Sequence, residues 1–175
     1  GLRICFVGNC NFYKGIFDVL DTLNILADEN KLDKCTIAGL GEENEMRSRL
    51  NTRANQLTAI KGVLPRTALN QIYKDNNYIL LPSQSEGFPK VLAEAAAFGC
   101  IPIVSNLPGF DNIIENGVNG ILLKQLNSWK IAKKLKASFS DQRKMKKMAN
   151  EAHLWSKQFS YDSFVHRVKY LLGKR

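Results

Sequence analysis

Residues Tyr78–Ser105 read YILLPSQSEGFPKVLAEAAAFGCIPIVS. Ile79-Leu80-Leu81 and Ile101-Pro102-Ile103-Val104 are short apolar runs of the kind found in strands buried on both faces. Between them Pro89 suits the first position of a helix, where its fixed φ fits and its missing N–H has no partner to lose, and Gly99 suits a left-handed helix end. The segment therefore reads strand, loop, helix, strand. It places Glu86 in the loop and Glu94 in the first two helical turns, among Val91, Leu92, Ala93, Ala95, Ala96, Ala97 and Phe98. A carboxylate in such company is costly to bury alone, so Glu94 calls for a donor partner.

Outward from this segment the same alternation continues. Strand-like runs fall at Ile4 to Val7, Cys35 to Ala38, Leu57 to Val63, Tyr78 to Leu81, Ile101 to Val104 and Gly120 to Leu123. Ile16, Val19, Leu20, Leu23, Leu26 and Ala27 recur at helical spacing, Met46, Leu50 and Arg53 do so more weakly, and helices are expected near 127–138, 141–157 and 160–172, the last with Ser160 as N-cap. Alternating strands and helices imply an α/β fold: a Rossmann-like, doubly wound parallel sheet of about six strands with a helical C-terminal tail. Ligands of such sheets bind outside the carboxyl ends of the strands.

The helix start near Phe88 to Leu92 concentrates free N–H groups and the positive end of the helix dipole, which suits a phosphate. Carboxylates repel phosphate, so Glu86 and Glu94 are better placed to accept hydrogen bonds from hydroxyls on either side of it. A sugar joined through a diphosphate to a ribose has that layout. On spacing alone, a solvated loop acid and a surface helix acid explain the pair equally well.

The order of the motifs separates the two readings. Phe6-Val7-Gly8 with Lys14-Gly15, Thr36 to Gly41, Ile60 to Val63, Leu81-Pro82-Ser83, the Glu86 to Glu94 block, Pro108-Gly109 and Asn116 to Leu122 together resemble the donor-binding C-terminal half of retaining GT-B glycosyltransferases, group 1, sequence family 4. The resemblance implies half of a GT-B fold, cut from a two-domain enzyme whose acceptor-binding half precedes it. The whole chain, 1–175, would be one donor-binding domain. It also implies a nucleotide sugar as substrate, transfer with retention, and no metal or other cofactor. Lys14 would contact the donor diphosphate and Glu86 would lie beside the reacting sugar. Glu94 would hold the ribose hydroxyls, while Gly8, Asn9, Gly87, Phe88, Lys90 and Val91 would meet phosphate and sugar, and Lys61 to Val63 would wall the nucleobase.

Three positions depart from the pattern. Asn9 stands where an arginine usually accompanies the lysine, removing a positive charge from the diphosphate site. Pro89 stands where many relatives have glycine, and Asn112 where an acidic residue is common. A GT-B-fold nucleotide-sugar epimerase and a non-catalytic nucleotide-binding scaffold remain as alternatives. Gly39-Leu40-Gly41 lacks the third glycine of a dinucleotide fingerprint, which argues against NAD.

Composition bounds the remaining classes. At 175 residues, 45% of them hydrophobic, the chain suits one full domain. The net charge of +9 is concentrated at one end: residues 124–175 hold 14 Lys and Arg against 3 Asp and Glu. Lys130, Lys133, Lys134, Lys136, Arg143, Lys144, Lys146 and Lys147 read as the solvated face of amphipathic helices, with an anionic membrane surface or a polyanionic acceptor as the alternative. No nucleic-acid motif accompanies them. Cys5, Cys10, Cys35 and Cys100 read as reduced core thiols, and His153 and His166 form no metal pattern. No run reads as a membrane span or secretory signal, so the expectation is a cytoplasmic domain, at most peripheral to a membrane.

Overall fold

The computed structural model describes residues 1–87, 90–110 and 112–173, without the side chains of residues 161, 164 and 167. Phe88 and Pro89, both named in the sequence reading, lie outside the described residues. Strands β1 (Leu2–Val7), β2 (Leu32–Ala38), β3 (Thr58–Lys61), β4 (Tyr78–Leu81), β5 (Ile101–Ser105) and β6 (Ile121–Leu123) pair in parallel in the order β3-β2-β1-β4-β5-β6. The expected six-stranded, doubly wound sheet is present. All of β4 and β5 is buried, as their unbroken apolar runs require.

Helices α1 (Ile16–Asp28), α2 (Glu43–Arg49), α3 (Thr52–Gln56) and α6 (Ser128–Ser140) pack together in one layer. Helices α4 (Arg66–Asp75), α5 (Lys90–Ala97) and α7 (Gln142–Ser156) pack in the other. His153 Nδ1–H donates to the Ala97 carbonyl at 2.8 Å, tying α7 to the end of α5. Helix α8 (Tyr161–Leu172) follows, capped by Ser160 as expected, with Val168, Leu171 and Leu172 exposed. The Cys5 and Cys100 sulfurs lie 3.9 Å apart in the core as free thiols. Among the described residues, no helix is long and apolar enough to cross a membrane.

Three local details differ from the sequence reading. Strand β3 ends at Lys61, short of Val63, because Gly39 N–H takes the carbonyls of Lys61 and Gly62 and turns the chain out of the ladder. The weak helical pattern around Met46 to Arg53 is two helices, broken where Asn51 caps α3 by accepting from Ala54 N–H. Helix α4 carries only Ile72 and Tyr73 as buried residues, too few to stand out as a periodic stripe.

Candidate functional site

The sheet reverses its winding between β1 and β4, so the loops after these two strands diverge and leave a crevice at the carboxyl edge. The loop after β1 is fastened on both sides. Towards β2, Gly8 N–H donates to Ala38 O at 3.0 Å and Cys10 N–H to Leu40 O at 2.6 Å. Gly39 has φ +144°, and a Cβ there would sit 1.8 Å from Gly8 O, so only glycine permits this approach. Towards β4, Gln84 N–H donates to Tyr13 O at 2.8 Å. Gly15, at φ +73°, brings its Cα so close to Pro82 that a Cβ would lie 2.2 Å from Pro82 O. Between these ties residues Phe12–Lys14 make one 3₁₀ turn, with the Asn11 side chain accepting from Lys14 N–H.

This framework brings Lys14 to Glu86. The ammonium is 2.7 Å from Glu86 Oε1, and Ser83 Oγ–H donates to the same oxygen at 2.8 Å. The side chain of Glu86 is 7% exposed and that of Lys14 28%, so the carboxylate is nearly enclosed while the ammonium still reaches solvent. The sequence reading assigned these groups to separate parts of a ligand and gave Ser83 no role. Its signal was its place directly after the β4 strand, where site residues of this sheet type collect.

Glu94 is half-buried on α5, and its partner is Tyr73 on α4, whose hydroxyl lies 3.5 Å from Glu94 Oε2. Burial first, and then the Glu94 carboxylate, push the Tyr73 phenol well up from its ordinary value, so it stays protonated and faces Glu94 as a donor. The Tyr73 ring is fully buried and stacks on Phe98 at 6.3 Å. Sequence reasoning required a donor for Glu94 but did not find this one, which comes from a helix that the apolar pattern hardly marks.

Of the other expected site residues, Asn9, Gly87, Lys90, Lys61 and Val63 are exposed, Gly8 and Val91 are partly buried, and Phe88 is outside the described residues. Phe12, Tyr13, Leu40 and Val63 project as exposed apolar groups from the loops after β1, β2 and β3. Cys10, expected as a core thiol, is only partly buried in the loop after β1, and burial pushes its thiol up to about 11, so it is protonated at neutral pH. Lys14, Ser83 and Glu86 thus meet between the loops after β1 and β4, while Glu94 is paired with Tyr73 on the neighbouring helices.

The family profile described as "Glycosyl transferases group 1" matches residues 2–155. The chain belongs to this family. A glycosyltransferase of Haemophilus influenzae, itself uncharacterised, is 30% identical over 172 residues, which cover 97% of this chain and 48% of the relative. The chain thus spans about half the length of that relative. Among solved structures, Anabaena HepE in complex with UDP and glucose superposes with a TM-score of 0.85 at 17% identity, over 100% of this chain and 49% of HepE. The C-terminal domain of a group 1 family protein from Francisella tularensis superposes at 0.77 and 19% identity, over 90% of this chain and 85% of that one. At these identities the structures establish a shared fold, that of a GT-B Rossmann-like domain.

Proposed function

We infer that this group 1 glycosyl transferase domain is the donor-binding, C-terminal half of a retaining enzyme of sequence family 4. It would bind a nucleotide-diphosphate sugar in the crevice between the β1 and β4 loops. The observation that carries the reading is the meeting of Lys14, Ser83 and Glu86 at the point where the sheet reverses, one loop away from the start of α5. The diphosphate would lie between the Lys14 ammonium and the α5 N-terminus, the sugar beside Glu86, and the ribose hydroxyls on Glu94 held by Tyr73. Asn9, Gly8, Gly87, Phe88, Lys90 and Val91 would complete the phosphate and sugar contacts, with Lys61 and Val63 beside the base.

Departure of a nucleoside diphosphate builds negative charge, which an ammonium and a helix N-terminus aimed at the leaving oxygens stabilise more in the transition state than in the ground state. In this scheme Lys14 and α5 supply that stabilisation without a metal. Glu86, paired with Lys14, would turn to the sugar when the diphosphate takes over the ammonium. The acceptor half, the glycan or lipid-linked acceptor, and a cytoplasmic or membrane-peripheral location belong to the whole protein on this reading, and the domain alone binds donor without transferring it.

Calorimetric titration of the domain with UDP, GDP and their sugars tests the assignment. Binding to one nucleotide set is expected, and silence with all of them would favour a scaffold. Incubating the full-length enzyme with donor and acceptor should give a product of retained configuration. Interconversion of free nucleotide sugars would instead identify an epimerase.

A further inference from the structure

Most lysines of the C-terminal segment are spread over the solvent faces of α6 and α7, whose inner faces are Ile131, Ala132 and Leu135, and Met148, Ala152 and Trp155. Lys124, Lys130 and Lys134 are different. With Leu123 and Gln125 they line a single depression of about 260 Å³ at the carboxyl end of β6. Lys130 and Lys134 are four apart on α6 and share a face, while Lys124 follows the last residue of β6. Lys134 is half-buried. Among the described residues none of the three meets a carboxylate: the lysine ion pairs are Lys14 with Glu86 and Lys136 with Glu29, and the polar partner of Lys130 is the neutral Gln125 side chain.

Three like charges in one concavity repel one another, and the positive end of the α6 dipole lies beside them. An anion of matching charge relieves both. We propose that this depression is a phosphoryl-binding site, separate from the crevice between β1 and β4. A phosphomonoester carries about −1.5 to −2 at neutral pH and several acceptor oxygens, which suits three flexible point-charge donors better than a single carboxylate does. The volume is below the roughly 300–1,000 Å³ of pockets that enclose whole drug-sized ligands, so the site takes a phosphate or diphosphate group and leaves the rest of the ligand outside. That group belongs to a soluble phosphoester or to a lipid headgroup, two sources of the same chemistry.

Pyrophosphate titrated into ¹⁵N-labelled protein is expected to shift the amides of residues 123–134. The triple variant Lys124→Gln, Lys130→Gln, Lys134→Gln should bind it at least about tenfold more weakly at that locus. A charge-matched control, Lys144→Gln, Lys146→Gln, Lys147→Gln on α7, should change that affinity less than about threefold, since those lysines act only through screened distance. Pyrophosphate that leaves these amides unmoved, or that loses affinity equally in both variants, overturns the site. Cosedimentation with vesicles of phosphatidic acid and phosphatidylcholine, against phosphatidylcholine alone, separates the sources. Vesicle binding lost in the first variant and kept in the control identifies a lipid headgroup. Absent vesicle binding, or equal loss in both variants, with pyrophosphate still bound at the depression identifies a soluble ligand. Amides of residues 8–15 report the other crevice in the same spectra, so the donor assignment stands or falls separately.

Discussion

Lys14, Glu86 and Glu94 carry charges that a nucleotide would meet in different ways, and substitutions there should fail differently. Lys14→Ala removes the charge proposed to hold the diphosphate, so UDP or GDP affinity should drop by about ten- to a hundredfold and its dependence on ionic strength should flatten. Glu94→Ala should lower affinity at every salt concentration while leaving the slope nearly intact, because its proposed partner is a neutral ribose. Glu86→Gln should act in the opposite direction on binding. Glu86 occupies the Lys14 ammonium at 2.7 Å, and neutralising it frees that charge for phosphate. Nucleoside diphosphate should then bind about two- to fivefold tighter, while sugar transfer by the full-length enzyme falls. Calorimetry on the three variants at two salt concentrations decides the matter, and nucleotide binding unchanged in all three would remove the site assignment while leaving the fold. Individual residues were legible in the sequence but their partners were not. The Lys14 to Glu86 contact exists because β1 and β4 are neighbours, and nothing local to either residue states that adjacency.

At the scale of elements, legibility followed punctuation. β4, α5 and β5 are bounded by Pro82, Gly99 and dense apolar runs, and the structure closes α5 with Gly99 at φ +79°. The α2–α3 break and α4 have mostly polar faces, so their boundaries depend on capping by Asn51 and on packing that periodicity does not record. The Gly39-Leu40-Gly41 sequence shows why a motif can be read for the wrong chemistry: Gly39 is there so that the β2 loop can touch Gly8 O and brace the β1 loop. Gly39→Ala should therefore cost at least about 2 kcal/mol, through both the clash and the left-handed φ, lowering Tm by about 4–8 °C. Gly62→Ala in the adjoining loop, where a Cβ meets nothing within 4 Å, should stay within about 0.5 kcal/mol. Scanning calorimetry of the two variants compares them directly. Equal losses would mean that the two loops do not need their close approach.

For the whole molecule, the parallel sheet and its two helical layers place thiols and phenols where ionisation is costly, and this sets the pH range of stability. Burial pushes Cys35 and Cys100 well above the ordinary thiol value of 9.0 and raises Tyr73 and Tyr78 from 10.0. The folded protein holds these protons more tightly than the unfolded chain does. Their stabilising contribution is therefore complete below the ordinary values and is lost as pH rises from those values through the raised folded ones. Tm should be nearly flat from neutral pH to about pH 9 as far as these groups are concerned, and fall increasingly steeply above it. Cys35→Ala and Tyr73→Phe each delete one such proton, so each should make the alkaline decline shallower even where the substitution lowers Tm at pH 7. Tyr73→Phe also strips Glu94 of its phenol donor, which couples this test to the crevice: the same variant should bind nucleotide more weakly at pH 7. An alkaline slope unchanged in both variants would show that these buried groups ionise in the folded state, contrary to their complete enclosure by the sheet and its helices.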